Sequence, residues 1–348
     1  MYSTSLQRSS RPVAIWLLVG VGMIMIQVVL GGITRLTGSG LSITEWAPIL
    51  GTIPPLNEQD WQLAFDKYKQ IGQFKHINFD FTLQDFKSIY FWEWLHRLWA
   101  RLIGVAFIIP FIIFIIQKRF RKDMIIPMII LFLLGAMQGA IGWIMVQSGL
   151  NENDIHVNHI RLAVHFLAAL GVLCYAVWFA LKLLITPINY VKDTGLKKFT
   201  GWLLFLISLQ LLYGAFMAGL KAAVTAPTWP TINGEWFPIR AGHSWISDPI
   251  NVQFIHRGLA YLLTVLILLW WWRANKINGT VLFNRTRLLP VVAVLVQVML
   301  GIFTLLNSTN PKSLLWLGAA HQFVAMILLM VLVWMYYLLR GKTFRPVP

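Results

Sequence analysis

Acidic side chains and cysteine are what this sequence has least of. Its 348 residues include 13 Asp and Glu against 29 Lys and Arg, and a single cysteine. Charged residues make up 12 % of the chain and hydrophobic ones 57 %, with a mean hydropathy of +0.66. A soluble chain of this length could not cover itself with so few polar groups, so a soluble globular protein is excluded. The lone Cys174 rules out an intrachain disulfide and any cysteine-based metal cluster, and reads as a small packing residue in an apolar run. Nucleotide motifs are missing too. "GKT" at 341–343 lacks the upstream glycine of a phosphate-binding loop and follows no strand, and no dinucleotide fingerprint occurs.

What the chain does have is long apolar runs. They fall near 13–33, 94–117, 124–147, 161–185, 199–220, 252–273, 288–306 and 314–339. Runs of about 20 residues match a hydrocarbon core of ~30 Å. With no water there to satisfy the backbone, such runs must be helices. The expected fold class is therefore an all-α integral membrane protein with eight transmembrane helices. The net charge of +16 is not spread evenly. Arg8, Arg11, Lys118, Arg119, Arg121, Lys122, Lys182, Lys192, Lys197, Lys198, Arg273, Lys276, Arg285, Arg287, Arg340, Lys342 and Arg345 all fall on one side of the alternating spans. Loop 148–160 on the other side has no Lys or Arg, and 307–313 has only Lys312. The positive-inside rule then places both termini in the cytoplasm, and basicity reflects topology rather than nucleic-acid binding. The short N-terminal stretch lacks a small-residue cleavage site, so neither a cleaved signal nor an organelle presequence is expected. "WWW" at 270–272 reads as part of an interfacial aromatic belt.

The chain also repeats itself. "QVVLG" at 27–31, "QGAIG" at 138–142, "QLLYG" at 210–214 and "QVMLG" at 297–301 share Q-x-x-x-G, one in each odd-numbered span. In the even spans "HRLWARLIG" at 96–104 is echoed by "HRGLAYLLT" at 256–264, and "AVHFLAAL" at 163–170 by "AAHQFVAM" at 319–326. The offsets are 183, 160, 159 and 156, in the same order in both halves. Four spans per half make these parallel repeats, that is, two pseudo-symmetric four-helix bundles. The boundary is expected near 190, giving an N-terminal half at 1–190 and a C-terminal half at 191–348. The recurrent Gln and Gly read first as interhelical hydrogen bonding and close helix approach, and second as contacts to a bound group.

Each half contributes two histidines near one membrane face, His96 with His165 and His256 with His321. Facing bundle helices can hold two imidazoles across a flat macrocycle, and bis-histidine ligation of haem iron fits this arrangement. Zinc would want three or four ligands at one centre, and a proton relay gives no reason for the pairing. Arg97, Arg161 and Arg257 lie near the same face, suited either to haem propionates or to snorkelling at the interface. The halves differ in one place. Glu93 precedes His96 by three residues and so shares its face, whereas Gln253 stands at the matching position before His256. Chemistry that moves protons on a substrate needs an acid, and electron storage does not. The N-terminal half therefore reads as reactive and the C-terminal half as the cofactor half. Glu93 as an interfacial partner of Arg97 is the alternative.

At these residues the sequence resembles the haem A synthase family. The matching stretches are "GGITRLTGSGLSITEWAPILGTIPP" at 31–55, "WQLAFDKYKQIGQFKHIN" at 61–78, "TLQDFKSIYFWEWLHRLWARLIG" at 82–104, "QGAIGWIMVQSGL" at 138–150, "RLAVH" at 161–165, "GAFMAGLKA" at 214–222, "VQFIHRGLAYL" at 252–262 and "AAHQ" at 319–322. The long loop with "TRLTGSGLS" resembles the mitochondrial and proteobacterial branch more than the Gram-positive one. The resemblance implies an oxidoreductase that converts haem O to haem A by successive hydroxylations of a ring methyl. It implies a haem b cofactor ligated by His256 and His321, haem O flanked by His96 and His165, and Glu93 as the acid near the substrate methyl. It further implies the inner membrane of a bacterial cell, with the haem sites near the extracytoplasmic face. The implied partners are the haem O synthase (a protohaem farnesyltransferase), cytochrome oxidase assembly factors and a membrane electron acceptor. Small residues in the spans would serve a homo-oligomer as well as packing within one chain. The loop cysteine pair of some branches is absent, Lys221 stands where many relatives have an acid, and the loop 223–251 is unlike theirs. A di-haem electron-transfer cytochrome linked to quinol is the rival reading of the same four histidines. A transporter is disfavoured because all four lie near one face.

The segment 34–91 is too long for an unstructured connection. "NEQDWQLAFDKYKQI" at 57–71 opens on an N-cap with Asp at the third helical position, and "TLQD" at 82–85 reads as a second helix start. Short amphipathic helices capping the N-terminal site are expected, or else lying as a belt on lipid. His76, His156, His159 and His243 are expected to be solvated loop residues.

Overall fold

The computed structural model describes residues 2–47 and 50–341. Lys342 and Arg345, which entered the charge argument, and most of "GKT" lie outside the described residues. In chain order the helices are α1 (Tyr2–Leu36), α2 (Glu58–Tyr68), α3 (Gly72–His76), α4 (Leu83–Ile116), α5 (Lys122–Gln147), α6 (His159–Leu184), α7 (Thr194–Gly219), α8 (Pro249–Ala274), α9 (Val281–Thr286), α10 (Leu289–Leu306) and α11 (Pro311–Leu338). Among the described residues, eight segments are long and apolar enough to cross a membrane: α1 from Arg11, α4, α5, α6, α7, α8, the α9–α10 run and α11. The expected all-α, eight-span membrane fold is what the chain adopts.

Helices in lipid gain little from apolar burial against one another, so shape decides their packing. α1 packs on α4 and α6, and α7 packs correspondingly on α8 and α11. α6 also packs on α5, as α11 does on α10. Between the two sets of four, α6 lies on α7, and the equivalent pair α11 and α1 is also in contact. Exchanging the first four crossing helices for the second four thus maps most contacts onto each other. One does not map: α8 packs along α10, whereas α4 and α5 share no comparable packing.

The connections 37–82, 148–158, 220–248 and 307–310 share one end of the bundle, called here the loop face. The four histidine-bearing helices all start there, and each start is fixed by a side chain. Thr82 accepts from Asp85 N in a reciprocal capping box, Asn158 from Ile160 N and Arg161 N, Asp248 from Ile250 N and Asn251 N, and Asn310 from Ser313 N. Such caps contribute about 1 kcal/mol each, and they also set the depth at which each histidine enters the bundle. The capping box explains why α4 begins eleven residues before its apolar run. At about 1.5 Å per residue its 34 residues reach about 51 Å, well beyond the ~30 Å hydrocarbon core.

That extension carries a cap. Asn57 caps α2 by accepting from Asp60 N, as the sequence suggested. Phe65, Tyr68 and Ile71 then pack with Leu41 on Phe86 and Ile89 of α4. The Tyr68 hydroxyl donates to Gln73 Oε1 at 3.0 Å and accepts from Asn78 at 2.7 Å, and Gln73 Nε2 donates to Gly38 O at 3.1 Å. This ties the cap to the end of α1, so it belongs to the first four helices and is not a free belt on lipid. At the opposite end, Trp270 departs from the aromatic-belt expectation. It is fully buried, with its indole N–H on Thr200 Oγ1 at 2.8 Å, and only Trp272 of the triplet is exposed.

The cap lies outside the membrane, so truncating its centre carries the full aqueous cost. Phe86→Ala is expected to loosen α2 and α3 by about 3–5 kcal/mol. Hydrogen exchange should speed up over residues 57–90 and stay unchanged in α7–α11.

Candidate functional site

The four Q-x-x-x-G motifs and the four histidines form one repeated unit. A Cβ on Gly31 would lie 3.2 Å from His96 Nε2, and one on Gly142 would lie 2.8 Å from His165 Cε1. In the second set, a Cβ on Gly214 would meet His256 Cε1 at 3.4 Å, and one on Gly301 would meet His321 Cε1 at 3.0 Å. Each motif glycine is therefore the floor on which one imidazole rests. The glutamine one turn away supplies the polar partner. Gln138 Nε2 lies 3.1 Å from His165 Nδ1, Gln210 Nε2 lies 3.4 Å from His256 Nε2, and Gln297 Nε2 lies 3.2 Å from His321 Nε2. His321 Nδ1 also lies 3.1 Å from Gln297 O. Interhelical hydrogen bonding and close approach were the first reading of this motif, and both are present, with histidine as the partner. Glutamines 138, 210 and 297 and glycines 31, 142, 214 and 301 were not among the expected site residues. Their shared depth with the histidines was the signal that could have named them.

His165 lies near His96, and His321 lies near His256. Among the described residues no group of three or more His, Cys, Asp or Glu converges. Two imidazoles at each centre suit a metal whose remaining ligands come from a macrocycle. The polar inventory fits as well. Oε1 of Gln27, Gln138, Gln210 and Gln297 is buried without a partner, and so is His256 Nδ1. A ligating imidazole carries a proton on its other nitrogen and needs an acceptor there, which the orphaned Gln210 oxygen provides for His256 Nε2 when the amide turns over, leaving His256 Nδ1 free.

Glu93 and Gln253 occupy equivalent places and do related work. Glu93, 2 % exposed, accepts from Ser42 Oγ at 2.7 Å and Ile43 N at 2.9 Å through one oxygen. Its other oxygen accepts from Arg97 Nε at 3.1 Å and Nη2 at 2.7 Å. Arg97 also donates to Ile43 O and Glu45 O, both at 2.9 Å. Gln253 donates to Ala222 O and Ala226 O, and Arg257 to the carbonyls of Ala226, Thr228 and Thr231. In each set, the residue three before the histidine and the arginine after it clamp the loop that follows the preceding crossing helix. The ion pair of the alternative reading is present, but it is buried inside that clamp. Arg161 is exposed at the loop face and donates to Ile144 O at 3.1 Å.

Two loop histidines depart from expectation. His159 opens α6 with its ring against Phe216 and its Nε2 at 3.2 Å from Ser247 Oγ, packed on Gly219. His156 is half-buried, and desolvation, with Lys221 and Arg35 nearby, lowers its pKa to about 4. Lys221, in the left-handed region at φ 52°, is itself lowered by burial and by Arg35. Arg35 Nη2 donates to Gly219 O at 2.8 Å, so the cations Arg35 and Lys221 gather with the neutral His156 where the two sets of helices meet. His76 and His243 are exposed as expected.

Residues 14–333 match the COX15-CtaA family, described as "Cytochrome oxidase assembly protein". The chain is 41 % identical over 326 residues to the "Heme A synthase" of Parvibaculum lavamentivorans, covering 92 % of each. It is 40 % identical over 349 residues to that of Rhodospirillum centenum, covering 96 % of this chain and 91 % of the relative. It is 38 % identical over 334 residues to that of Flavobacterium johnsoniae, covering 93 % and 96 %.

The glycine floors yield a sign test. Alanine is a better helix former than glycine by about 1 kcal/mol, so Gly20→Ala, with nothing within 4 Å of the new Cβ, should raise the melting temperature. Gly142→Ala should lower it, because the clash with His165 outweighs propensity. His156 gives a pH dependence. Its folded pKa is depressed from 6.5 to about 4, so its contribution is full above pH 6.5 and is lost as pH falls towards 4. His156→Gln should flatten the drop in melting temperature between pH 7 and pH 5 while leaving the pH 7 value nearly unchanged.

Proposed function

Because the chain belongs to the COX15-CtaA family of cytochrome oxidase assembly proteins and matches haem A synthases over nearly its whole length, we propose a division of its haem O to haem A oxidation between two haem sites. The activity itself is that of a membrane oxidoreductase making haem A for cytochrome oxidase. In the proposed division, the N-terminal half (1–190) binds haem O as substrate between His96 and His165. The C-terminal half (191–348) holds a resident haem b between His256 and His321. The observation that carries this reading is the histidine–glutamine–glycine cradle occurring twice, with a carboxylate beside only one copy.

Each residue then has a task. His256 and His321 hold the resident haem, on rings seated by Gly214 and Gly301 and steered by Gln210 and Gln297. When bound, that haem would supply a one-electron redox centre. His96 and His165 orient haem O so that the ring methyl lies on the Glu93 side. Glu93 takes up protons released as the methyl is oxidised, and Arg97 balances the charge of its ionised form. Such positioned acid–base groups contribute about 10²–10⁴-fold. Arg97, Arg161 and Arg257 lie within the loop-face layer where propionates would emerge, and turning one guanidinium N–H from a loop carbonyl to a carboxylate keeps the donor satisfied. The basic residues gathered at the end opposite the loops support a cytoplasmic location for both termini, and hence haem sites near the extracytoplasmic face of the inner membrane. Haem O synthase and oxidase assembly factors are the partners this chemistry calls for.

The test is expression in a bacterium that makes haem O but no haem A, followed by extraction of the bound haems. Wild-type protein should yield haem A, and Glu93→Gln should yield about 100-fold less. One protohaem per chain should remain in both. Two protohaems per chain, untouched by the substitution, would instead mark an electron-transfer cytochrome.

A further inference from the structure

The one contact that the pseudo-symmetry fails to reproduce marks an opening. On α8, Leu263, Ile267 and Trp270 are buried; their counterparts on α4, at the offset of 160, are Ile103, Phe107 and Pro110, all only partly buried. On α10, Val291, Ala293 and Val294 are buried; at the offset of 159, α5 has Phe132, Leu134 and Gly135, of which Phe132 and Gly135 are exposed. The C-terminal set is thus closed along α8 and α10, and the N-terminal set stands open along α4 and α5.

Three glycines border the opening. Gly104 on α4 and Gly135 and Gly139 on α5 would each present a Cβ to empty space within 4 Å. The equivalent positions carry Thr264, Val294 and Val298. Away from the loop face the seam is bridged by Phe107 stacked on Phe132, with centroids 5.9 Å apart. Gly104 and Gly135 each lie three residues from that pair on its loop-face side, so the stacked rings form a sill just below the glycines. Gly135 is also one turn from Gln138, which engages His165, so the seam passes within one helical turn of the histidine layer.

We propose that this glycine-edged seam between α4 and α5 receives the isoprenoid chain of haem O and opens the N-terminal site sideways to lipid. The inference rests on the reading of His96 and His165 as the substrate site. Haem O differs from protohaem in carrying a long apolar chain in place of a vinyl group. A chain of that length cannot fold into a bundle sized for a macrocycle, and in water it would be costly to expose. A slot facing hydrocarbon, floored by two aromatic rings, accommodates it at no such cost. A substrate that enters and a product that leaves also need a wall that parts, whereas a resident cofactor is better kept behind a closed one. Val294 and Val298 close that wall in the C-terminal half, and Gly135 and Gly139 leave it open in the N-terminal half.

The test is a binding titration in lipid nanodiscs with two probes, haem O and protohaem, on wild type, Gly135→Ala and Gly135→Leu. His96→Ala identifies the part of the spectral change that belongs to the N-terminal site. Leucine is a better helix former than glycine, so the helix itself is not put at risk, and an unchanged thermal transition verifies the fold. The expected result is a loss of haem O affinity of about tenfold or more in Gly135→Leu, a smaller loss in Gly135→Ala, and protohaem affinity unchanged. Equal losses for both probes, or no loss for haem O, would overturn the seam. A wild-type titration with no component sensitive to His96→Ala would overturn the substrate-site reading, and the seam with it.

Discussion

A buried imidazole in an apolar helix bundle needs two things that lipid cannot supply: a polar partner for one ring nitrogen, and a neighbouring backbone close enough to deliver it. The Q-x-x-x-G motif meets both demands from a single helix face. Glycine removes a side chain that would crowd the ring at 2.8–3.2 Å in three cases, and at Gly214 leaves His256 at the 3.4 Å of an ordinary contact. Glutamine, on the same face one turn away, reaches the ring in three of them. The rest of the structure follows from having four such contacts at one depth. The motif-bearing helices must lie against the histidine-bearing ones, and the caps at Thr82, Asn158, Asp248 and Asn310 must fix where the histidine-bearing helices start.

Duplication then allowed the two cradles to diverge in what surrounds them. Both halves use a polar residue three before the histidine and an arginine after it to clamp a loop. Only the N-terminal half makes that residue a carboxylate, held by four donors. Only that half carries the packed cap of α2 and α3 above its site, and only that half leaves a side seam open. The features that the proposed substrate site calls for are thus gathered on one copy. The other copy is closed where its counterpart is open.

Much of this was legible in the sequence. Hydropathy gave the eight spans, and the ordered repeats gave the equivalences, because both depend on residue type at fixed spacing. The N-caps of α2 and α4 were readable for the same reason. The clamp was not. Which carbonyls Arg97 and Arg257 reach depends on how loops 39–47 and 222–231 fold back, and no periodicity encodes that. His156 and His159 read as solvated because they sit in a polar stretch, yet both are half-buried, His159 against Phe216 and Gly219 of α7. Trp270 read as interfacial from its neighbours, but its register along α8 points it at Thr200. The seam could be seen only by comparing burial at matched positions, since glycine in a membrane helix as often marks contact as its absence.

The central claim is that the two cradles are equivalent in construction and different in use, and one measurement reaches it most directly. Protein purified from cells that make only protohaem should carry one haem per chain, assayed for wild type, His96→Ala and His256→Ala in parallel. The account predicts that His256→Ala loses this resident haem while His96→Ala keeps it. Loss in His96→Ala with retention in His256→Ala, or equal loss in both, would contradict the assignment of substrate and cofactor to the two halves.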